Sequence, residues 1–400
     1  MKFLLVLSGI GLGSARTFFE ENFDDSEWSS RWTVSKNKPA SEMGKWEATA
    51  GKWYSDSTNL ALQTTEDARF YALSAPLANP FDNKGGDLVL QYTVKHEQNL
   101  DCGGAYIKLL PGGSSFDASA FSGDSPYGLM FGPDICGSTK RTHVIANYPE
   151  GKSGEENNLL INKDVRTETD GLSHLYTLII KADNSFEVLI DNKSERSGDL
   201  SDAFDFLAPK NIKDPAQSKP ASWVDEKMIP DPTDKKPANY DDIPPEIPDP
   251  TASRPDDWDD AEDGEYEVPM IDNPDFSGTW RPKMIENADY KGEWTHPEIP
   301  NPDFKDDLNL HARCSPACTH VGFELWQVTS GTSFDDILVT DSIKEAQVHA
   351  EKNFFKKQAG EKTMHDDIKE KEKEAAAAAR EEARAAAEFD AEMEEDAHEL

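Results

Sequence analysis

Between Ile212 and Phe304 the chain holds sixteen of its 25 prolines. Proline fixes φ and donates no backbone hydrogen bond, so neither a long helix nor a central sheet strand can run through such a stretch. The segment is built instead from two kinds of internal repeat. One opens Ile212-Lys213-Asp214-Pro215, followed by Lys219-Pro220 and Trp223. It returns as Ile229-Pro230-Asp231-Pro232 with Lys236-Pro237 and Tyr240, and again as Ile247-Pro248-Asp249-Pro250 with Arg254-Pro255 and Trp258. The second kind reads Ile271-Asp272-Asn273-Pro274-Asp275-Phe276 with Gly278 and Trp280. It repeats from Ile285 to Trp294 and opens a shortened third copy at Ile299. One large aromatic per repeat cannot make a globular core. The economical solution pairs the three copies of one kind with the three of the other, turning back near Gly264, as an extended hairpin arm with contacts only between neighbours.

The flanks have a different character. From 16 to 208, short runs rich in β-branched and aromatic residues alternate with Gly, Asn and Asp breaks. Leu88 to Val94, Ala105 to Leu110 and Thr142 to Tyr148 are examples. The runs His174 to Lys181 and Ser185 to Asp191 enclose Ala182-Asp183-Asn184, a hairpin turn. Such a pattern predicts antiparallel sheets packed as a sandwich. It resumes after the arm at Val321 to Val328 and Phe334 to Thr340, which makes the arm an insertion in one β domain. Ser342 to Gln358 has helical spacing, and Glu361 to Leu400, with 15 acidic and 6 basic residues, reads as a solvated helix or a flexible tail. The expected divisions are 1–15, 16–208, 209–304, 305–360 and 361–400.

A formal charge of −36 disfavours any phosphate backbone, so nucleic acid is excluded as a partner. Met1-Lys2, the apolar stretch Phe3 to Ile10 and Gly13-Ser14-Ala15 read as a secretory signal peptide, and no later window is long and apolar enough for a membrane anchor. An oxidising compartment makes the four cysteines disulfide candidates. For Cys314 and Cys318, four residues apart, a local disulfide, free thiols or a metal site with His311 and His320 all remain open.

Two longer motifs carry a resemblance. Lys95-His96-Glu97-Gln98-Asn99-Leu100-Asp101-Cys102-Gly103-Gly104-Ala105-Tyr106-Ile107-Lys108-Leu109 resembles one signature of the calreticulin/calnexin family of lectin chaperones. Leu129-Met130-Phe131-Gly132-Pro133-Asp134-Ile135-Cys136-Gly137 resembles the other, and the three-plus-three repeats match that family's arm. With no membrane span, the soluble branch is the better match.

The resemblance implies a lectin-like jelly-roll sandwich that is no enzyme. It would bind monoglucosylated high-mannose N-glycans of unfolded glycoproteins on a concave face. Tyr106, Lys108 and Tyr127 take the sugar-binding roles by similarity, with Met130 beside them and Asp124 and Asp134 in the matching loops. Glu324 stands where the family usually has Asp, which displaces that acceptor by one methylene. Cys102 and Cys136 resemble the family's disulfide. One tight Ca²⁺ site would use the Asp335 carboxylate with main-chain carbonyls at Asn22, Asn59 and Ala61, and the acidic tail would bind Ca²⁺ weakly.

At the arm tip, Asp263, Gly264, Glu265 and Tyr266 match the positions that recruit a thioredoxin-fold disulfide isomerase. Tyr266 replaces the usual Trp, and Ala261 stands where a carboxylate often sits. The ending Ala397-His398-Glu399-Leu400 keeps only the last two residues of the Lys/His-Asp-Glu-Leu signal read by the retrieval receptor. Residence in the endoplasmic reticulum lumen is expected, alongside a surface or secreted fraction. A lumenal calcium-storage or structural protein with a weak sugar site is the alternative. A hydrolase is disfavoured, because no acid–nucleophile pair has motif support.

Overall fold

The computed structural model describes residues 15–148, 158–255, 258 and 264–398. The leader expected over 1–15, apart from Ala15, lies outside these, as do Ala261 and Asp263 at the arm tip and Glu399 and Leu400 at the end. The chain forms two compact units, one drawing on residues up to Ala208 and from Lys305 onward, the other spanning Pro209–Phe304.

The first unit is a sandwich of two eight-stranded sheets. One runs Lys193–Asp199, Ser185–Ile190, Ser173–Ile180, Leu88–His96, Thr332–Thr340, Ala61–Thr64, Trp46–Thr49, with Thr17–Glu21 also paired to Thr332–Thr340. The other runs Asn158–Leu160, Thr139–Asn147, Leu129–Cys136, Cys102–Gly104, Cys318–Gln327, Arg69–Phe81, Thr33–Val34. Ile107–Pro111 pairs with both Cys318–Gln327 and Leu129–Cys136 in this sheet. All of these strand pairings are antiparallel. The expected turn at 182–184 is tightened by Asp183, whose Oδ1 accepts from the Ser185 amide, while Asn184 takes the left-handed conformation at φ 68°.

Alternation decides which side chains meet between the sheets. Leu88, Leu90, Tyr92 and Val94 point into the shared core, where they meet Leu129, Phe131, Phe323 and Phe334. The in-between residue Val89 is buried too, in a second cluster with Ile179, Leu338 and Ala346. The helix Ile343–Ala350 and the turns after it cover this outer face, so Leu88–His96 is buried along its whole length. A strand covered on both faces loses its polar alternation, which is why the pattern is only partial in the sequence.

Ser342 caps that helix, its Oγ accepting from the Glu345 amide. A π-helical turn follows at Glu351–Phe355, and one α-helix then runs over Lys356–His398, across residue 360. No helix among the described residues is long and apolar enough to cross a membrane.

The second unit contains three short ladders: Asn211–Lys213 with Glu298–Pro300, Met228–Pro230 with Met284–Glu286, and Glu246–Pro248 with Met270–Asp272. Each centres on a pair of isoleucines, Ile212 on Ile299, Ile229 on Ile285 and Ile247 on Ile271. First-kind copies therefore pair with second-kind copies in reverse order, as a hairpin requires. After the first-kind ladder strands, Asp214, Asp231 and Asp249 each accept from the amide two residues on, which turns the chain out of the ladder. The repeat aromatics close the units, with Trp223 Nε1 donating to Gly292 O and Trp258 Nε1 to Gly264 O.

Candidate functional site

On the outer face of the sheet carrying Cys318–Gln327, Ala72 and Leu110 are covered by Phe121, with Met43, Phe116 and Tyr127 packed against them. On Ile107–Pro111, Ile107 and Leu109 enter the core, so Lys108 points outward; Leu129 and Phe131 place Met130 outward in the same way. Lys108 and Met130 are direct cross-strand partners. Phe323 and Leu325 are core residues, so Glu324 faces outward beside them. Lys108 Nζ donates to Glu324 Oε2 over 2.9 Å, and its ammonium lies 5.2 Å from the Tyr127 ring centre and 6.0 Å from those of Tyr106 and Phe121.

The longer Glu324 side chain thus reaches the lysine directly, giving a neutral pair ringed by aromatic faces. Burial first, then the carboxylates of Glu324 and Asp134, hold the Tyr106 hydroxyl protonated well above its ordinary range, so it is a donor at any physiological pH. The turn holding Asp124 passes over the same spot: a Cβ added at neighbouring Gly123 would lie 3.5 Å from Glu324 Oε1.

Asp134 sits opposite Gly104 in the ladder between Leu129–Cys136 and Cys102–Gly104, two residues from the cross-strand pair Cys102 and Cys136. A disulfide joins those two cysteines. A Cβ at Gly104 would come within 2.4 Å of the Tyr106 ring, so only glycine lets that ring lie against the backbone. The structure therefore brings Tyr106, Lys108, Tyr127, Met130, Asp134 and Glu324 to one face, with Asp124 exposed at its edge.

Sequence reasoning missed two neighbours. His143 stacks on Tyr106 with ring centres 6.1 Å apart, its Nε2 3.5 Å from Asp134 Oδ2, and burial lowers its pKa. Phe121 closes the far side of Lys108. A single histidine on an alternating strand, and a Phe between turns, carry no signal that separates them from ordinary packing. Cys314 and Cys318 are also joined by a disulfide, which leaves no free cysteine among the described residues.

A second site lies in the first sheet. Asp335, on Thr332–Thr340, accepts from Asn59 Nδ2 at 2.9 Å and from the Asp336 amide at 2.8 Å. Asn59, Ala61 and Asp335 line one cavity with Thr93 and Ser333, and Asn22 and Asn59 line an adjoining one with Asp24 and Asp336. Burial, then the neighbouring Asp336, pushes the Asp335 carboxyl up. The Lys357 ammonium, 3.4 Å from Asp335 Oδ2, offsets this only in part, and the hard oxygens around the carboxylate suit a Ca²⁺ donor set drawn largely from carbonyls. Among the described residues no group of three or more His, Cys, Asp or Glu could hold a metal ion, so any site here depends on those carbonyls. Asp24, Asp336 and Lys357 were not foreseen.

Comparison with known proteins adds a consistent picture. A sequence model of the Calreticulin family matches residues 19–264 and 262–339. Calreticulin of Dictyostelium discoideum is 52% identical over 352 residues, 88% of this chain and 80% of that protein. Calreticulin of Entamoeba histolytica is 50% identical over 364 residues, 91% of this chain and 90% of that one. The solved T. cruzi calreticulin globular domain superposes with a TM-score of 0.62 at 33% identity, covering 89% of this chain and 99% of that one.

Proposed function

Because the chain belongs to the calreticulin family, we propose that it is a lectin chaperone that holds glycoproteins and carries out no reaction on them. Its ligand is the monoglucosylated high-mannose N-glycan of a newly made, unfolded glycoprotein. The observation that carries this reading is the outward cluster of Tyr106, Lys108, Tyr127 and Glu324 beside Asp134 and Met130. Aromatic faces take sugar C–H groups, and fixed donors and acceptors take the fork of hydroxyls. An ammonium has three donors; Glu324 Oε2 engages one, and the others meet sugar oxygens. Asp124 and Asp134 accept from hydroxyls at the rim.

One tight Ca²⁺ is held by the Asp335 carboxylate and the main-chain carbonyls of Asn22, Asn59 and Ala61, with weaker binding along the acidic tail. Bound there, the ion supplies the divalent charge that favours a buried carboxylate in its ionised form. The arm tip, with Asp263, Gly264, Glu265 and Tyr266, recruits a thioredoxin-fold disulfide isomerase. In support, Tyr266 is held edge-on against Trp258 with ring centres 5.3 Å apart. The site of action is the endoplasmic reticulum lumen, kept by the retrieval receptor.

Glycan-array binding tests the lectin reading. The wild-type chain is expected to select monoglucosylated mannose oligosaccharides, and Tyr106→Ala to lose at least about tenfold in affinity, since one stacking and donor group is removed. Equal binding by both proteins, or none by either, overturns it.

A further inference from the structure

Consecutive residues in a strand normally point to opposite faces. Asp335 and Asp336 do not: Lys357 Nζ lies 3.4 Å from Asp335 Oδ2 and 3.2 Å from Asp336 Oδ1. The pairing of Thr332–Thr340 with Leu88–His96 shifts register between Asp335 and Leu338, and Asp336 takes φ 50°. A bulge of this kind re-aims side chains, here turning both carboxylates onto one ammonium. Both are nearly buried, with side chains 8% and 2% exposed. Two neutral donors also serve the pair, Thr93 Oγ1 to Asp336 Oδ2 at 3.2 Å and Asn59 Nδ2 to Asp335 Oδ2, and the Asp24 carboxylate acts on both Asp336 and Lys357. The neighbouring cation Lys95 is already engaged by Glu97 and the Trp53 carbonyl.

Lys357 comes from the last helix, immediately after the π-helical turn Glu351–Phe355. Ala350, Phe354, Lys357 and Glu361 form one inward stripe at ordinary helical spacing across this turn. Ala350 and Phe354 pack on Leu175, and Glu361 Oε1 accepts from the Ser173 amide. The ammonium is thereby delivered to the carboxylates by a helix fastened on both sides of it.

We propose that Lys357 is a tethered cation that neutralises Asp335 and Asp336 until Ca²⁺ takes them, and that the ion and the ammonium exchange at one place. This rests on the calcium reading given above. The ammonium stands 3.4 Å from the Asp335 oxygen that the ion would take and 3.2 Å from Asp336 Oδ1, so a divalent ion brought to that oxygen would lie against the ammonium and be repelled by it. Calcium affinity is therefore lowered by the lysine, and calcium binding frees the lysine by the same factor.

Calorimetric calcium titration of the full chain, Lys357→Met and Asp335→Asn tests this, together with acetylation of Lys357 by a succinimidyl ester in wild type, read by mass spectrometry. The expected result is calcium binding at least about tenfold tighter in Lys357→Met, loss of the event in Asp335→Asn, and faster Lys357 acetylation once calcium is added. The acetylation measurement needs no variant, so it stands even if Lys357→Met folds poorly. Binding of unchanged affinity in Lys357→Met, with Lys357 acetylation indifferent to calcium, overturns the exchange while leaving the calcium reading intact. No tight event in wild type or in Lys357→Met overturns both. Binding by Lys357→Met alone supports the exchange in its strongest form.

Discussion

His174 carries the most informative single charge in the molecule. Its Nδ1 lies 2.8 Å from Asp191 Oδ2 and its Nε2 2.9 Å from Asp170 Oδ1. Burial lowers its pKa, but the hydrogen bonds to the two carboxylates more than offset this and raise it from 6.5 to about 9. A histidine whose folded pKa is raised stabilises the native state fully below 6.5, and that contribution disappears as pH rises toward 9. At roughly 1.4 kcal/mol per unit, the loss is on the order of 3 kcal/mol. Urea unfolding of wild type and His174→Gln at pH 6 and pH 9.5 checks it. The gap between the two proteins is expected to narrow across that window, and a gap independent of pH would show that the imidazolium contributes nothing.

At the level of elements, the Cys102–Cys136 disulfide ties Cys102–Gly104, only three residues long, to Leu129–Cys136 across a sequence separation of 34. Closing a loop of that length stabilises the fold by about 4 kcal/mol on the chain-entropy estimate. Replacing Cys136 and Cys102 by Ala is expected to lower the unfolding midpoint accordingly while the far-ultraviolet spectrum stays native. A change under about 1 kcal/mol would mean that the ladder alone holds Asp134 in place.

The sandwich, the arm's reversed pairing and the hairpin at 182–184 were legible because each has a local signature. Repeat spacing marks the isoleucine ladders, and Asp-Asn marks the turn. The Lys108–Glu324 pair was not legible as a contact, since 216 positions separate its partners and one methylene decides whether they touch. The Asp335–Asp336–Lys357 cluster was hidden for another reason. It depends on a bulge at Asp336, an irregularity that breaks the period from which a strand is read, and on a lysine from a distant helix. The expected helix from 342 to 358 continues instead to His398, because alanine runs and mixed charges propagate a helix once its first turns are packed.

For the molecule as a whole, the chain divides into two compact units. At the arm's base, Asn301 donates from its amide to Lys210 O at 2.9 Å and from Nδ2 to Pro209 O at 2.8 Å, so the chain leaves where it entered. Replacing 209–304 by a short Gly/Ser linker is expected to leave the sandwich's calorimetric transition, and the glycan binding proposed for it, within error of the full chain. A collapse of that transition would mean that the arm is part of the sandwich's stability.

The position of the arm in the chain also sets an order of events during synthesis. Cys318–Gln327 and Thr332–Thr340 lie in the middle of their sheets, yet both emerge from the ribosome after the arm. Until then each sheet is two fragments with open inner edges. Translating the 96 residues of Pro209–Phe304 at about 5–20 residues per second takes roughly 5 to 20 s. For that interval the nascent sandwich exposes the edges that its last two strands will occupy, and the strands that close them are the last of the sandwich to be made.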